Sequence, residues 1–267
     1  KHPKKLNQRI INEVTPNLIC GTNNTFLVGI TGDNQFFNVR SNLNYTTQID
    51  YTTVLRNKKI FRTLVNVAYL ITTSGTSGYP KTVKIEKSVF LSHIKNISKI
   101  YKYGEKDVVI QYSSLTFDAG LEQFFTPLLS GCTLIFRDEA KWGPIELKDA
   151  ISKYAVTAIN LPPAVLLSFC NYIEENKQRN TIESLKLIIS GGDAFPLKLA
   201  RNLNRMLDSK VRILNAYGPT ECCVTASIKE IDLQDSFGEE NLNIGKPIGG
   251  RIFLVLSPSK RVLPPGH

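Results

Sequence analysis

From Val65 onward the chain alternates short apolar runs with longer segments of helical spacing, and this alternation restricts the possible folds strongly. Short apolar runs bounded by turn residues predict strands, and apolar residues at spacings of three and four predict helices. Such alternation is typical of an α/β fold with mostly parallel sheets and flanking helices. The predicted elements are strands at 68–72 and 83–85, helix 88–101, strand 108–112, helix 118–130, strand 133–136, helix 144–154, strand 156–161, a helix after Pro163, strand 185–190, a helix from Pro196, and strands 211–214 and 244–256.

Polar segments that contain glycine follow several of these predicted strands, at 73–81, 190–193 and 215–221. In open parallel sheets ligands bind at the carboxyl ends of the strands, so the recurrence predicts one shared crevice. We expect three regions: residues 1–64 as the end of an N-terminal sub-region, 65–243 as the core, and 244–267 as the start of a β-rich subdomain. In the first region, apolar runs at 18–20 and 26–30 predict strands.

Composition narrows the class of protein. The formal net charge is +10, with scattered basic residues. A solvated basic surface and a nucleic-acid-binding surface are both possible, and we expect the former because no nucleic-acid-binding motif is present. Five cysteines without a CxxC motif favour neither a zinc site nor a disulfide framework, which fits the reducing cytoplasm. No apolar stretch reaches 18 residues, so we expect no membrane partner.

The segment Thr72–Lys81 (TTSGTSGYPK) combines hydroxyl side chains, glycines and a terminal lysine. Backbone N–H groups and hydroxyls in a tight loop suit a phosphate chain. It is not a Walker A loop, because Pro80 precedes Lys81 and a strand follows. A flexible surface loop rich in small residues is the alternative interpretation.

Four segments, in order, resemble the signature motifs of the adenylate-forming (AMP-binding) superfamily, and in particular the amino acid adenylation domains of nonribosomal peptide synthetases. They are Thr73–Lys81, Leu115–Ala119 (LTFDA), Asn215–Glu221 (NAYGPTE) and Ile244–Ile248 (IGKPI). The resemblance implies that the chain is the central part of the large N-terminal domain of such an enzyme. It also implies that a catalytic lysine and a smaller C-terminal domain lie beyond His267, so that the fragment alone has little activity.

The resemblance implies a role for each matching residue. Thr220 and Glu221 would be catalytic, with Thr220 on phosphate and Glu221 on Mg²⁺, and Tyr217 would stack on adenine. Asp193 and Ser77 depart from the usual residues but keep the acid and the hydroxyl. The ATP-binding set is Thr73, Ser74, Gly75, Thr76, Ser77, Gly78, Lys81, Gly192, Asp193, Asn215, Ala216, Tyr217 and Gly218.

Asp118 is the residue that would separate amino acid activation from activation of other acids. In the resembling enzymes this aspartate pairs with the α-ammonium of the substrate, and an amine-free substrate would leave it unpaired. The alternative is that Asp118 only caps the following helix.

The family's substrate-lining positions fall at Asp118, Ala119, Glu122, Asn160, Ile189, Gly191, Ala216, Val224 and Thr225. Glu122 lies one helical turn after Asp118, on the same face. An acid among small and neutral residues would favour a basic amino acid such as lysine or ornithine. Alternatively, Glu122 turns to solvent or pairs with a lysine or arginine of the protein.

The implied function is ATP-dependent formation of an aminoacyl-adenylate with release of pyrophosphate. Transfer to the phosphopantetheine thiol of a peptidyl or acyl carrier protein would follow. The implied cofactors are Mg²⁺ and the carrier's phosphopantetheine, with ATP as a substrate. A carboxylate–CoA ligase and a non-catalytic nucleotide-binding remnant remain alternatives at this point.

Overall fold

A computed structural model of the chain describes residues 66–74, 80–137, 142–232 and 242–264, together with the backbone of 28–30 and 35–37. The chain divides into two compact units, residues 1–87 and 88–267. In the first unit, strands β1 (Val28–Ile30) and β2 (Gln35–Phe37) form one antiparallel pair. Strands β3 (Val67–Ser74) and β4 (Pro80–Glu86) form another, which confirms the strands predicted at 68–72 and 83–85. The strand predicted at 18–20 lies outside the described residues.

Strands and helices alternate along the second unit as the sequence pattern predicts. Two 3₁₀ turns, Arg179–Ile182 and Thr220–Cys222, interrupt the alternation. The helices and strands, from the unit boundary onward, are α1 (Lys87–Tyr101), β5 (Val108–Gln111), α2 (Asp118–Leu129), β6 (Thr133–Phe136), α3 (Pro144–Tyr154), β7 (Ala158–Leu161), α4 (Pro163–Glu175), β8 (Leu187–Gly191), α5 (Leu197–Met206), β9 (Arg212–Tyr217), β10 (Ser227–Ile231) and β11 (Lys246–Pro247).

The described strands of this unit form one sheet of seven in the order β11-β10-β9-β8-β7-β5-β6. Strands β6, β5, β7, β8 and β9 run parallel, whereas β10 and β11 are antiparallel to their neighbours. The order reverses between β5 and β7, because the chain moves outward to β6 and then returns. The α/β class with a mostly parallel sheet is confirmed.

Alternating side chains of the central strands enter two separate cores, since successive residues of a strand point to opposite faces. One core lies under α3, α4 and α5 and contains Ile110, Ile159 and Ile188. The other core lies under α1 and contains strand residues adjacent to these, such as Val109 in β5 and Ala158 in β7. Helices therefore cover both faces of the sheet, and the strand ends are left open to form a site.

The strand predicted at 244–256 is wrong in extent. Only Lys246–Pro247 pairs as a strand, and Leu256 forms an isolated bridge with Val262. Three glycines explain the interruption, because Gly245, Gly249 and Gly250 have φ angles of +77°, +60° and +78°, which an extended strand does not allow.

Strand β9 is longer than predicted, because it continues through Asn215 to Tyr217. The antiparallel strand β10 was absent from the prediction. No helix among the described residues is long and apolar enough to cross a membrane.

Candidate functional site

A cavity of about 570 Å³ lies at the carboxyl ends of the parallel strands, within the second unit. The loops after β5 and β7 both line it, so it lies where the strand order reverses, as expected for open α/β sheets. Most of the predicted substrate-lining residues meet here. They are Asp118, Ala119, Glu122, Asn160, Gly191, Ala216, Val224 and Thr225. Ile189 is the exception, since it is fully buried in the core and is not part of the cavity lining.

Gln123 joins three sides of this cavity. Its Oε1 accepts hydrogen bonds from the backbone N–H groups of Tyr112, at 3.0 Å, and Ser113, at 2.8 Å. Its Nε2 donates to Ser113 Oγ, at 3.0 Å, and to the carbonyl of Asn160, at 3.1 Å. One buried amide therefore holds α2, the loop after β5 and the end of β7 together. No sequence motif marks Gln123, although a glutamine beside Glu122 on a helix with an apolar face is a signal of a buried polar contact.

Asp118 is the first residue of α2, and its side chain lines the cavity. The N-cap of the helix is Phe117, which makes no side-chain capping bond. Asp118 Oδ1 accepts a hydrogen bond from Ala119 N at 2.8 Å. Among the described residues, no ion pair includes Asp118. Its carboxylate therefore lines the cavity with no ion-pair partner in the described part of the chain and can pair with a cation of a ligand.

Glu122 lies one turn further along α2, and its side chain is only 2% exposed. Its Oε1 accepts a hydrogen bond from the Tyr101 hydroxyl and its Oε2 contacts His93 Nε2, each at 2.7 Å. Neither of the predicted alternatives, exposure to solvent or pairing with lysine or arginine, describes this residue. Burial, together with the nearby Glu122 charge, raises the pKa of Tyr101, so the phenol keeps its proton and donates a hydrogen bond to Glu122.

Charged side chains give the cavity an acidic character. Of the residues that the structure describes, Asp118, Glu122 and Asp193 line it together with a single base, Arg137. The Arg137 guanidinium lies 4.8 Å from the centre of the Tyr112 ring, where a cation–π contact holds it. A cavity with three acids and one base favours a ligand that carries positive charge.

A second cavity, of about 470 Å³, lies beside the first. Tyr217 lines it with an exposed ring, and Asn215 is fixed below by a hydrogen bond of 3.2 Å from its Nδ2 to the Asn243 carbonyl. All of the ATP-binding residues predicted after β8, in β9 and directly after β9 lie here. They are Gly192, Asp193, Asn215, Ala216, Tyr217 and Gly218. Four of them, Gly192, Asp193, Ala216 and Gly218, line both cavities.

Close backbone approaches shape the wall between the two cavities. A Cβ on Gly191 would lie 2.4 Å from the Ala216 carbonyl oxygen, and one on Gly218 would lie 1.8 Å from the Val224 carbonyl oxygen. Val224 itself has a φ of +63°, which is strained for a β-branched residue. Strain of this kind gathers at functional sites, where the surrounding structure enforces it.

Thr220 and Glu221 belong to the 3₁₀ turn after β9 and line neither of the two cavities. Glu221 is exposed. Within the described ranges, no group of three or more His, Cys, Asp or Glu side chains could hold a metal alone. One exposed carboxylate fits Mg²⁺ all the same, since this ion is commonly held by one or two carboxylates plus the phosphates of a substrate.

The predicted phosphate segment belongs to the first unit. Thr73 and Lys81 lie opposite each other in the β3–β4 pair, and Thr73 Oγ1 donates to the Lys81 carbonyl at 3.4 Å. Ser74 is the last residue of β3, and Lys81 is exposed. Gly75, Thr76, Ser77 and Gly78 lie outside the described residues.

Comparison with known proteins assigns the family. The model of the AMP-binding enzyme family matches residues 34–267, so the chain belongs to that family. Among curated proteins, surfactin synthase subunit 2 of Bacillus subtilis (strain 168) is 34% identical over 205 residues, and gramicidin S synthase 2 of Brevibacillus brevis is 31% identical over 203 residues. Each alignment covers 75% of this chain but only 6% and 4% of the respective relative.

Solved structures agree with the fold. The adenylation domain AlmE of Vibrio cholerae, in complex with glycyl-adenosine-5'-phosphate, is 25% identical with a TM-score of 0.64 over 75% of this chain and 38% of AlmE. The AMPPNP-bound form of the nonribosomal peptide synthetase FmoA3 is 24% identical with a TM-score of 0.67, over 73% of this chain and 20% of that protein.

Proposed function

We propose that the protein activates an amino acid with ATP, forming an aminoacyl-adenylate and pyrophosphate, and then passes the aminoacyl group to the phosphopantetheine thiol of a carrier protein. The observation that carries the proposal is the pair of adjoining cavities with four shared wall residues. One cavity holds the aspartate expected to bind an α-ammonium, and the other holds the tyrosine expected to stack on adenine. A shared wall would bring the carboxylate of one ligand close to the α-phosphate of the other.

In the first step, a carboxylate oxygen of the amino acid bonds to the α-phosphorus of ATP, and the bond from that phosphorus to the pyrophosphate oxygen breaks. Mg²⁺ held by Glu221 would neutralise charge on the phosphates, and Thr220 would donate a hydrogen bond to them. In the second step, the carrier thiol loses its proton and attacks the acyl carbonyl. AMP leaves, and a thioester remains.

The first test is amino-acid-dependent ATP–pyrophosphate exchange with the longest available chain that contains these residues, as wild type and as Asp118→Asn. The variant cannot pair with the α-ammonium, and loss of a charged hydrogen bond of about 1.5–3 kcal/mol lowers kcat/KM by roughly 10–150-fold. Asp149→Asn is the matched control, because Asp149 is also a helical aspartate but is 62% exposed and outside the site.

Equal exchange by wild type and Asp118→Asn would contradict the assignment of Asp118. ATP binding without exchange for any amino acid would instead favour a carboxylate–CoA ligase or a non-catalytic remnant.

The preferred substrate in this proposal has a cationic side chain, such as lysine or ornithine. Glu122 supports it, because a buried carboxylate with two hydrogen bonds from side chains of α1 lines the cavity at one turn from Asp118. We expect exchange with lysine or ornithine to exceed that with leucine or phenylalanine. In Glu122→Gln the cation loses its counter-charge, and this preference should fall by about tenfold or more. Preference of the wild type for leucine or phenylalanine would refute a cationic substrate.

A further inference from the structure

The carboxylate of Glu122 is one end of a series of hydrogen bonds that continues away from the cavity. His93 lies on α1, its side chain is fully buried, and its Nε2 is 2.7 Å from Glu122 Oε2. The other ring nitrogen of His93, Nδ1, is 3.2 Å from a terminal guanidinium nitrogen of Arg251. None of the motifs that identify the family contains His93 or Arg251.

Arg251 is held where it meets His93. The guanidinium group that contacts His93 also donates to the carbonyls of Cys222, at 3.1 Å, and Ile248, at 3.3 Å. Gly249 has a φ of +60°, and a Cβ there would lie 2.7 Å from Asn96 Nδ2 of α1. The glycine therefore lets the chain pass close to α1 and turn Arg251 toward His93.

The chemistry of these groups fixes the position of the proton. A guanidinium has only donors, so His93 Nδ1 must be the acceptor of the Arg251 contact. The single ring proton then lies on Nε2, and this N–H donates a hydrogen bond to Glu122. The groups that face His93 are the Glu122 carboxylate and the Arg251 guanidinium, and the second donor to Glu122 is the neutral Tyr101 phenol.

We infer that Arg251 and His93 are positioning residues for Glu122: Arg251 holds His93 in the neutral Nε2–H form, which orients the carboxylate without cancelling its charge. A protonated imidazole in the same place would form an ion pair with Glu122 and leave less negative potential for a cationic substrate side chain. The inference deepens the proposed function and rests on it for the substrate class, whereas the proton position on His93 can be measured without any substrate.

The first experiment is NMR of protein labelled with ¹⁵N-histidine, at pH 7 and without substrate. The chain has three histidines, His2, His93 and His267, and loss of one set of signals in His93→Gln assigns His93. We expect the neutral Nε2–H tautomer in wild-type protein and the doubly protonated ring in Arg251→Met. A wild-type His93 with its proton on Nδ1, or with two protons, overturns the inference even if lysine is the substrate.

The second experiment measures the preference for lysine over leucine in pyrophosphate exchange. The amide of glutamine at position 93 can donate a hydrogen bond to Glu122 but cannot become charged, so His93→Gln should keep the preference, whereas His93→Leu should lower it by about tenfold. Arg251→Met should lower the preference for lysine about tenfold in the wild-type background and hardly change it in His93→Gln, because the effects of coupled residues are not additive.

An equal loss on Arg251→Met in both backgrounds would show that Arg251 acts on the structure and not through His93, which overturns the inference. If the wild type activates no cationic amino acid, the substrate class is wrong. The NMR result then still decides whether Arg251 sets the protonation of His93.

Discussion

Gly218 and Val224 show how single residues build the wall between the two cavities. The backbone at Gly218 leaves no room for a side chain against the returning segment, and Val224 holds a left-handed conformation opposite it. The Ala226 N–H donates to the Tyr217 carbonyl at 2.7 Å, which closes this turn. The strain at Val224, of about 1–3 kcal/mol, is therefore offset by close packing around Gly218.

Gly218→Ala should be more damaging than an ordinary surface substitution. The new methyl group would displace backbone atoms, and overpacking of this kind costs about 1–3 kcal/mol. We expect a lower urea midpoint and weaker ATP binding, measured by calorimetry. Gly104→Ala is the matched control, because its Cβ would meet nothing closer than an Asp107 side-chain atom at 3.9 Å. Equal effects of the two substitutions would contradict the close approach at Gly218.

The sequence could predict individual site residues where a motif carried them. Asp118 and Ala216 are examples, since family motifs contain both and both line the cavity. Asn160 and Gly191, placed only by their offsets from the motifs, line it as well. His93 and Arg251 could not be predicted in this way, since they are 158 positions apart and meet only in the folded chain. The prediction that Ile189 lines the substrate cavity failed, because an offset from a motif does not say on which face of β8 a side chain lies.

At the scale of elements, Asp107 connects three strands at the end of the sheet opposite the site. It precedes β5, accepts a hydrogen bond of 2.9 Å from Thr157 before β7, and contacts Lys186 Nζ before β8 at 3.4 Å. Burial alone would raise the pKa of Asp107, but the hydrogen bonds from Gly104 N and Thr157 and the charge of Lys186 outweigh it and lower this pKa.

This shift predicts a pH dependence of stability. A carboxyl group with a lowered folded pKa stabilises the fold above its unfolded pKa, near 4, and loses that contribution as the pH falls through the folded value. Asp107→Asn should therefore reduce the free energy of unfolding by about 1–2 kcal/mol at pH 7. Urea titrations should show the difference from wild type shrinking toward pH 3. A difference in unfolding free energy that does not change with pH would refute a role for the ionised Asp107 carboxylate. Thr157→Val, which removes one hydrogen bond to Asp107, should show a smaller loss of stability with the same pH dependence.

Helices and parallel strands could be predicted because each has a local period. Helix α3 and strand β6 have the bounds that the sequence pattern gave. Strand β10 and the end of β9 could not be predicted from the sequence, because polar residues such as Lys229 and Asn215 interrupt the apolar pattern there. Their strand conformation comes from pairing with each other across the sheet, where Lys229 of β10 lies directly opposite Asn215 of β9.

At the scale of the second unit, its two cores share one sheet. Phe169 is buried in the core under α4, and Ile97 is fully buried in the core under α1. Adjacent strand residues, such as Ile188 and Ile189, contribute to opposite cores. A cavity in either core therefore weakens the same set of strands.

Phe169→Ala should destabilise this unit by about 3–5 kcal/mol and Ile97→Ala by about 2–5 kcal/mol. Because the cores share strands, both variants should lower the midpoint of the same thermal transition, measured by circular dichroism. Ile145→Ala is the control, since Ile145 is 52% exposed and a surface change has little effect. Separate transitions for the two core variants would contradict a shared sheet.

The reversal of direction at β10 also bears on the order in which the sheet assembles. Strands β9 and β10 are joined by residues 218–226, whereas β7 and β8 are joined by residues 162–186. Closing a chain loop costs more entropy as it lengthens, by about 0.6 kcal/mol for each doubling. The antiparallel edge that carries Tyr217, Val224 and Thr225 can therefore form from local contacts, before the long crossovers bring Asp118 and Asn160 to meet it.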